Sequence, residues 1–198
     1  MSDSRTVDWL ATDRAELGTQ RILDVAERLF IEHGVAAVTM RSLATAVGCS
    51  RATLYRYFPG KSEVLAAYVE RAAAQVGVAI AGATDGTSDP GTRLIAAVMT
   101  AVEAVRANPA LSAWFTADTA GASANLALLS PAIEEIVRGF LADIRADDGG
   151  RDPDAADLRE RGRWLVRVIV SLLTTPGRDP DDERAMLEQF VVPVVLGP

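Results

Sequence analysis

Cysteine and histidine are almost missing from this chain, since Cys49 and His33 are the only residues of their kinds. A single cysteine excludes an intramolecular disulfide, and the pair cannot build the Cys/His cluster of a structural zinc site. No glycine-rich phosphate loop and no Ser/His/Asp set is present. A thiol sensor at Cys49, beside Arg51, is an alternative with no second cysteine to complete a disulfide. We therefore expect no catalytic residue, no metal and no cofactor.

Long hydrophobic runs are also missing. Ala72–Ala83 falls short of the ~20 apolar residues that cross a bilayer, and Trp164–Leu173 is interrupted by Arg167. The first ten residues, MSDSRTVDWL, contain no apolar core of signal-peptide length. These absences predict a cytoplasmic protein without a membrane partner.

Acidic residues are absent from one window, His33–Ser62, although the net charge of the chain is −7. The window contains Arg41, Arg51, Arg56 and Lys61. Acidic and basic residues balance in residues 1–71, so the negative charge lies in the remainder. A basic segment on an acidic protein favours nucleic-acid binding at one place and repulsion elsewhere.

The same window has the spacing of a helix-turn-helix, within Thr39–Ser62. Gly48 lies where a first short helix ends, because glycine adopts the left-handed conformation without a Cβ clash. Ser50 is a suitable N-cap for a second helix, which contains the apolar Leu54. The small Ala44 lets the second helix cross close to the first. An ordinary solvated helical hairpin is the alternative interpretation.

Residues Gln20–Val69 closely resemble the DNA-binding domain of the TetR family of transcriptional regulators. The match runs from RILDVAERLFIEHGVAAVTM through RSLATAVGCSRATLYRYFPGKSEVL, and TLYRYF (Thr53–Phe58) followed by KSEVL (Lys61–Leu65) is its most specific part. The resemblance implies a ligand-responsive regulator, most simply a repressor, that binds a pseudo-palindromic operator in double-stranded DNA as a homodimer. A small apolar molecule would release it by tilting the helix that follows Ser62.

Proline dipeptides predict where the later helices begin. Pro90, Pro109, Pro131, Pro153 and Pro180 each follow Asp, Asn or Ser, which is an N-cap and then a proline at the first helical position. They predict helices near 90–107, 109–117, 131–147, 153–175 and 180–196. No stretch shows sustained strand alternation, so we expect an all-α fold of about nine helices. Its expected parts are a loose N-terminal arm (1–19), a three-helix helix-turn-helix domain (20–66) and a helical ligand-binding and dimerisation domain (67–198).

Nine residues of the window are candidates for DNA contacts. Phosphates are expected at Thr39, Arg41, Tyr55, Tyr57 and Lys61. Base edges in the major groove are expected at Ser50, Arg51 and Thr53, with Arg56 as a weaker candidate.

Apolar residues elsewhere predict two further surfaces. A self-association face on the last two helices would contain Leu165, Val168, Leu172, Met186, Phe190 and Val194, with packing inside one subunit as the alternative. Residues that either line a ligand cavity or only fill the core are Met99, Val102, Leu111, Trp114, Phe115, Phe140 and Trp164, with Arg106, Asn125 and Arg163 as polar candidates. The resemblance implies that the second set is an inducer pocket.

The alternative hypothesis is that the chain is a small-molecule-binding helical protein or a cryptic enzyme with no DNA-binding role. The basic window argues against it, as does the lack of a nucleophile–base pair. Repressor and activator are not distinguished by the sequence.

Overall fold

The computed structural model describes residues 9–115, 130–147 and 154–197, with the side chains of 9–13 and 147 excepted. All secondary structure in these ranges is helical, which confirms the all-α prediction. The chain divides into two compact units, Met1–Tyr68 and Val69–Pro198, and the division falls inside one helix.

The first unit contains α1 (Trp9–Ala37), α2 (Met40–Val47), α3 (Arg51–Tyr57) and the start of α4 (Lys61–Thr84). Its core is a set of side chains that are at most 6% exposed: Ile22, Leu23, Ala26, Phe30, Val38, Leu43, Ala44, Leu54, Phe58, Val64 and Tyr68. The Phe30 and Tyr68 rings meet edge to face with centroids 5.7 Å apart. Three helices and the first turns of a fourth thus form a small bundle.

The predicted loose arm is wrong for residues 9–19, because α1 begins at Trp9. This segment is polar, but a solvated helix needs no continuous apolar stripe, and one close contact holds it. A Cβ atom at Gly18 would lie 2.5 Å from Tyr57 Oη, so the tyrosine ring packs directly on the helix backbone. The helix is interrupted at Gly34, which has φ 75° and ψ 152°.

The second unit contains the rest of α4, then α5 (Pro90–Ala107) and α6 (Pro109–Ser112), which continues into a 3₁₀ turn (Ala113–Phe115). After these come α7 (Pro131–Asp147) and α8 (Ala155–Thr174). The C-terminal helix, as we name it, has three consecutive segments: Pro180–Met186, a π-helical turn Leu187–Val191, and Val192–Leu196.

Most of these helices begin where the proline dipeptides predict. Asp89 accepts a hydrogen bond from the Thr92 backbone N–H at 2.7 Å, and Asp179 accepts one from Asp182 at 2.8 Å. The prediction for α8 is two residues early: the helix begins at Ala155 because Asp154 is its N-cap. An aspartate next to Pro153 thus provides the capping carboxylate.

The core of the second unit is formed by α5, α7, α8 and the C-terminal helix, through Leu94, Ile95, Val98, Met99, Val102, Leu141, Ile144, Leu158, Leu165, Leu172, Leu187, Val191 and Val195. Leu165 and Leu172 were predicted at a self-association face, and this is wrong. They are 3% and 4% exposed in the single chain. Leu187, Val191 and Val195 are each 1% exposed, so the C-terminal helix buries a full apolar stripe within its own subunit.

By length and composition alone, α4 is long and apolar enough to cross a membrane, although no such segment was predicted from the sequence. Its apolar residues have other uses. Val64 and Tyr68 are buried in the first unit, and Val69, Ala72 and Ala73 are buried in the second.

The π turn of the C-terminal helix has a local cause. Pro193 has no N–H to donate to the Gln189 carbonyl, so the preceding turn widens and the Val192 N–H donates to the Leu187 carbonyl five residues back. The helix end is held by two arginines. Arg161 Nη1 donates to the Val195 carbonyl at 2.7 Å, and Arg145 Nη2 donates to the Leu196 carbonyl at 2.9 Å.

Candidate functional site

The turn between α2 and α3 is fixed by its caps. Thr39 Oγ1 accepts a hydrogen bond from the Ser42 N–H at 3.1 Å, and Ser42 Oγ accepts one from the Thr39 N–H at 2.9 Å. Gly48 ends α2 with φ 78° and ψ 34°, and the N–H of Cys49 donates to the Ala44 carbonyl at 3.0 Å. This reciprocal capping and the left-handed glycine set the direction in which α3 leaves the turn.

The exposed face of α3 is determined by the buried Leu54 and by Phe58, the residue that caps the helix end. Leu54 is 0% and Phe58 6% exposed, and they lie one turn apart on the side that faces the core. Arg51, Tyr55 and Arg56 are exposed on the remaining surface. Two guanidinium groups and a phenol thus stand on the outside of a short, well-anchored helix.

Ser50 and Thr53 share hydrogen bonds at the start of α3. Ser50 Oγ accepts from the Thr53 N–H at 3.0 Å, and the two hydroxyl oxygens are 2.9 Å apart. One hydroxyl donates to the other, so the accepting hydroxyl keeps its own O–H for an outside acceptor. The cap therefore leaves one donor at the N-terminus of the helix.

Two of the predicted phosphate contacts have partners within the first unit. Lys61 Nζ donates to the Val35 carbonyl at 2.6 Å and to the Ala36 carbonyl at 3.2 Å. Tyr57 is half-buried with its ring against Gly18. Thr39 and Arg41 are exposed at the N-terminus of α2.

Ala52 also belongs to the exposed face of α3, although it was not among the residues predicted to contact DNA. It lies one turn before Arg56, on the side opposite Leu54 and Phe58. Helical spacing from those two apolar residues is the signal that identifies it. A methyl group at this place can contact the methyl group of thymine.

The second unit contains a partly open apolar cavity of about 140 Å³. The predicted Leu111, Trp114 and Phe115 are part of its wall. Spacing did not single out the other lining residues, which come from α4, α5, α7 and α8: Val69, Ala72, Ala73, Val76, Ile80, Ala101, Val105, Ile133, Ile136, Val137, Val166, Ile169, Val170 and Leu173.

The other ligand candidates do not line this cavity. Met99 and Val102 are buried in the adjoining core, and Trp164 packs against it. Arg106 was predicted as a polar lining residue, but it forms an ion pair with Glu183 instead. Three positions remain: Phe140 lies at a surface groove, Arg163 lies beside a second small pocket, and Asn125 lies outside the described residues.

The remaining self-association candidates differ in exposure. Phe190 is 58% and Val194 55% exposed, one turn apart on the C-terminal helix. Val168 and Met186 are partly buried against the core. We call Phe190 and Val194 the C-terminal ridge.

Comparison with known proteins agrees with this architecture. The family model described as "Bacterial regulatory proteins, tetR family" matches residues 22–68. An uncharacterized HTH-type transcriptional regulator of Mycobacterium tuberculosis strain H37Rv is 42% identical over 188 residues, which are 95% of this chain and 90% of that relative.

Solved structures share the fold at low sequence identity. RolR in complex with its ligand resorcinol has a TM-score of 0.68 at 18% identity, covering 94% of this chain and 97% of RolR. The TetR family repressor AlkX from Dietzia sp. strain DQ12-45-1b has a TM-score of 0.65 at 20% identity, covering 90% and 95%. With a helix-turn-helix in the first unit, a helical second unit and a relative that matches over nearly its whole length, the chain belongs to the TetR family of bacterial transcriptional regulators.

Proposed function

We propose that this regulator is a repressor that binds a pseudo-palindromic operator as a homodimer and is released when a small apolar molecule enters the cavity. The observation that carries the DNA-binding part is the exposed face of α3. Arg51, Tyr55 and Arg56 stand there on a helix anchored by Leu54 and Phe58, within a window that has no acidic side chain. Arg51 opposes the dipole of its own helix, so its best electrostatic partner is an anion outside the protein.

In the proposed complex, α3 enters the major groove. Arg51, Arg56 and the Ser50–Thr53 hydroxyl pair face base edges, and the Ala52 methyl group adds an apolar contact. Phosphates are held by residues around this helix: Thr39, Arg41, Tyr55, Tyr57 and Lys61. Lys61 has one N–H left for a phosphate, since its other two hydrogens are directed at the Val35 and Ala36 carbonyls.

The proposed dimer uses the C-terminal ridge. The ridge has two exposed apolar side chains one turn apart, which the same helix of a second copy can cover. Met186 and Val168, predicted at the same face, are partly buried against the core of their own subunit. A two-fold dimer presents two copies of α3 to half-sites about 34–36 Å, or a multiple of that, apart.

Release by a ligand is proposed to act through α4, because this helix contributes to both units. Val64 and Tyr68 are in the core of the first unit, while Val76 and Ile80 line the cavity in the second. A ligand that prefers one position of α4 biases the regulator toward it, and couplings of ~1–3 kcal/mol are typical. RolR was solved with resorcinol bound, and AlkX is described as a repressor. Acting on DNA in this way, the protein would work without catalysis in the cytoplasm.

A gel-shift assay with the DNA upstream of the protein's own gene tests the proposal. We expect Arg51→Ala to weaken specific binding at least ~10-fold, since a good base contact is worth ~1–3 kcal/mol. The matched control is Arg28→Ala, which removes the same charge from an exposed position on α1. Affinity should also fall steeply as salt rises.

The same assay separates the alternative function. A small-molecule-binding protein or enzyme without a DNA role would give no retarded band with any promoter fragment. Full affinity and selectivity in Arg51→Ala would remove the assigned role of that side chain.

A further inference from the structure

The walls of the cavity define the chemistry of what it holds. All seventeen described lining residues have aliphatic or aromatic side chains, and the indole nitrogen of Trp114 is the only nitrogen or oxygen among those side chains. No described lining side chain can neutralise a charge or form several hydrogen bonds to a ligand. Burying an ionised carboxylate there would cost far more free energy than the contacts return.

The size of the cavity limits the ligand as well. Its volume is about 140 Å³. An apolar cavity of ~150 Å³ lined by Leu, Ile and Phe stays dry and accepts benzene or xenon. The cavity described here thus has room for one small ring with at most short substituents, unless its wall moves.

One part of the wall separates the cavity from a surface groove. The groove lies beside the loop after α4 and includes Gly77, Ile80, Asp85, Arg93, Glu135, Ile136, Phe140 and Asp143. Ile80 and Ile136 line both the groove and the cavity. These two side chains therefore form the partition between the two spaces.

Ile136 is the tighter member of the partition. A Cβ atom at Gly77 would lie 3.4 Å from Ile136 Cδ1, so the side chain of Ile136 rests on the backbone of α4. Rotation of an isoleucine side chain needs no helix to move. On the groove side stand the carboxylates of Asp85, Glu135 and Asp143 and the guanidinium of Arg93, and Glu135 is also paired with Arg138 at 2.6 Å. Three carboxylates against two guanidiniums leave a small excess of negative charge, which disfavours the approach of anions.

We propose that the cavity binds small uncharged hydrocarbons of about the size of benzene or toluene, and that they enter from the groove past Ile136. The claim that this binding releases the protein from DNA rests on the proposed function, whereas the binding itself does not depend on it. The proposal commits to neutral ligands, and an ionised analogue of equal size is rejected at both the partition and the cavity.

The test uses the full-length protein with toluene and benzoate as matched probes. Binding is followed by tryptophan fluorescence, to which Trp114 in the cavity wall contributes beside Trp9 and Trp164. It is also followed by the shift in Tm, since a ligand of the folded state raises Tm by mass action. We expect toluene to bind at least ~100-fold more tightly than benzoate. Equal affinity for the two probes, or no binding of toluene, would overturn the proposal.

Three variants locate the site. Ala101→Leu fills the cavity and should abolish toluene binding, while Ile136→Ala should speed association and admit naphthalene. Gly82→Ala lies outside the linings of both the cavity and the groove, has nothing within 4 Å of its new methyl group, and should leave toluene affinity and association unchanged. Unchanged toluene affinity in a folded Ala101→Leu variant would contradict this location. If that variant does not fold, the rates measured with Ile136→Ala decide.

Failure of the inference and failure of the proposed function give different results. If toluene binds but operator affinity does not change, release by a ligand is contradicted, while the proposal that the cavity binds small uncharged hydrocarbons stands. If a carboxylate binds as tightly as toluene and releases the operator, the proposed preference for uncharged ligands is contradicted, while the proposed function as a ligand-released repressor stands.

Discussion

Arg106 and Glu183 form a bidentate ion pair between α5 and the C-terminal helix. Arg106 Nη2 lies 2.6 Å from Glu183 Oε1, and Nη1 lies 3.0 Å from Oε2. The carboxylate also accepts a hydrogen bond from the Gly177 N–H at 2.9 Å, and the guanidinium donates to the Leu172 carbonyl at 2.9 Å. The Glu183 side chain is 2% exposed. Its ion pair therefore connects the end of α5, the end of α8 at Leu172 and the start of the C-terminal helix.

Glu183→Gln should lower the free energy of unfolding by about 2 kcal/mol. Removing one partner of a fully buried pair costs ~3–5 kcal/mol, and the effect is smaller here because 35% of the Arg106 side chain remains exposed. Urea denaturation followed by circular dichroism measures the change. Glu135→Gln breaks the exposed pair with Arg138 and is the matched control, which should not change stability measurably. Equal effects of the two substitutions would contradict the assigned role of burial.

Stability should depend on pH through the same carboxylate. The hydrogen bond from Arg106 holds the pKa of Glu183 below its ordinary value, against the opposing effect of desolvation. Since the folded-state pKa is depressed, this stabilisation is complete above the unfolded-state pKa of ~4.3 and is lost as pH falls through the folded value.

The measurement is the difference in unfolding free energy between wild type and Glu183→Gln at several pH values. The difference should be constant from about pH 7 to 5.5 and shrink below pH ~4. Other acidic groups are present in both proteins and cancel. A difference that stays constant down to pH 3 would rule out Glu183 as its source.

Gly18→Ala should destabilise the first unit. The new methyl group would lie 2.5 Å from Tyr57 Oη and 2.8 Å from Cζ, so the ring must move away from α1. Overpacking costs ~1–3 kcal/mol, which exceeds the ~1 kcal/mol gained when alanine replaces glycine in a helix. Thermal denaturation shows whether the Tm of Gly18→Ala is lower or higher than that of the wild type.

Gly82→Ala is the control for that prediction. Gly82 is also helical, and nothing lies within 4 Å of a Cβ placed there. This substitution should raise Tm, so the two glycines are expected to differ in sign. If Gly18→Ala raised Tm, the Tyr57 ring would have moved away from α1 without a loss of folding free energy, and the prediction would be wrong.

Charge on the C-terminal ridge should dissociate the proposed homodimer. In Phe190→Glu/Val194→Glu, two like charges would be brought to the centre of the contact, where they are desolvated and repelled by their copies. Light scattering on a size-exclusion column should give the monomer mass. Val78→Glu, at a 75% exposed position on α4, should leave the mass unchanged. A double variant with the wild-type mass would place the interface elsewhere.

The local features of this fold could be predicted from the sequence. Asp89-Pro90 and Gly48 determine a helix start and a helix end through contacts within three or four residues, and both are where the sequence placed them. The α2–α3 hairpin and the exposed Arg51 follow from the same short-range rules.

The partners of long side chains could not be predicted in this way. Arg106 was assigned to a ligand because its partner, Glu183, lies 77 residues away. Lys61 was assigned only to phosphate, although the carbonyls that its ammonium group contacts lie 25 and 26 residues earlier. Leu165 shows the same limit for burial, since periodicity identifies an apolar face but does not show whether its own chain or a second copy covers it.

The π turn in the C-terminal helix keeps one row of buried side chains straight. An ideal α-helix rotates by about 40° over four residues, so a row spaced by four would wind about 120° around the helix from Glu183 to Val195. The one extra residue in the Leu187–Val191 turn takes back about 100° of this. Glu183, Leu187, Val191 and Val195 therefore lie on one side of the helix, and each is at most 2% exposed. Without the extra residue, the end of this row would turn about a third of the way around the helix, away from the core.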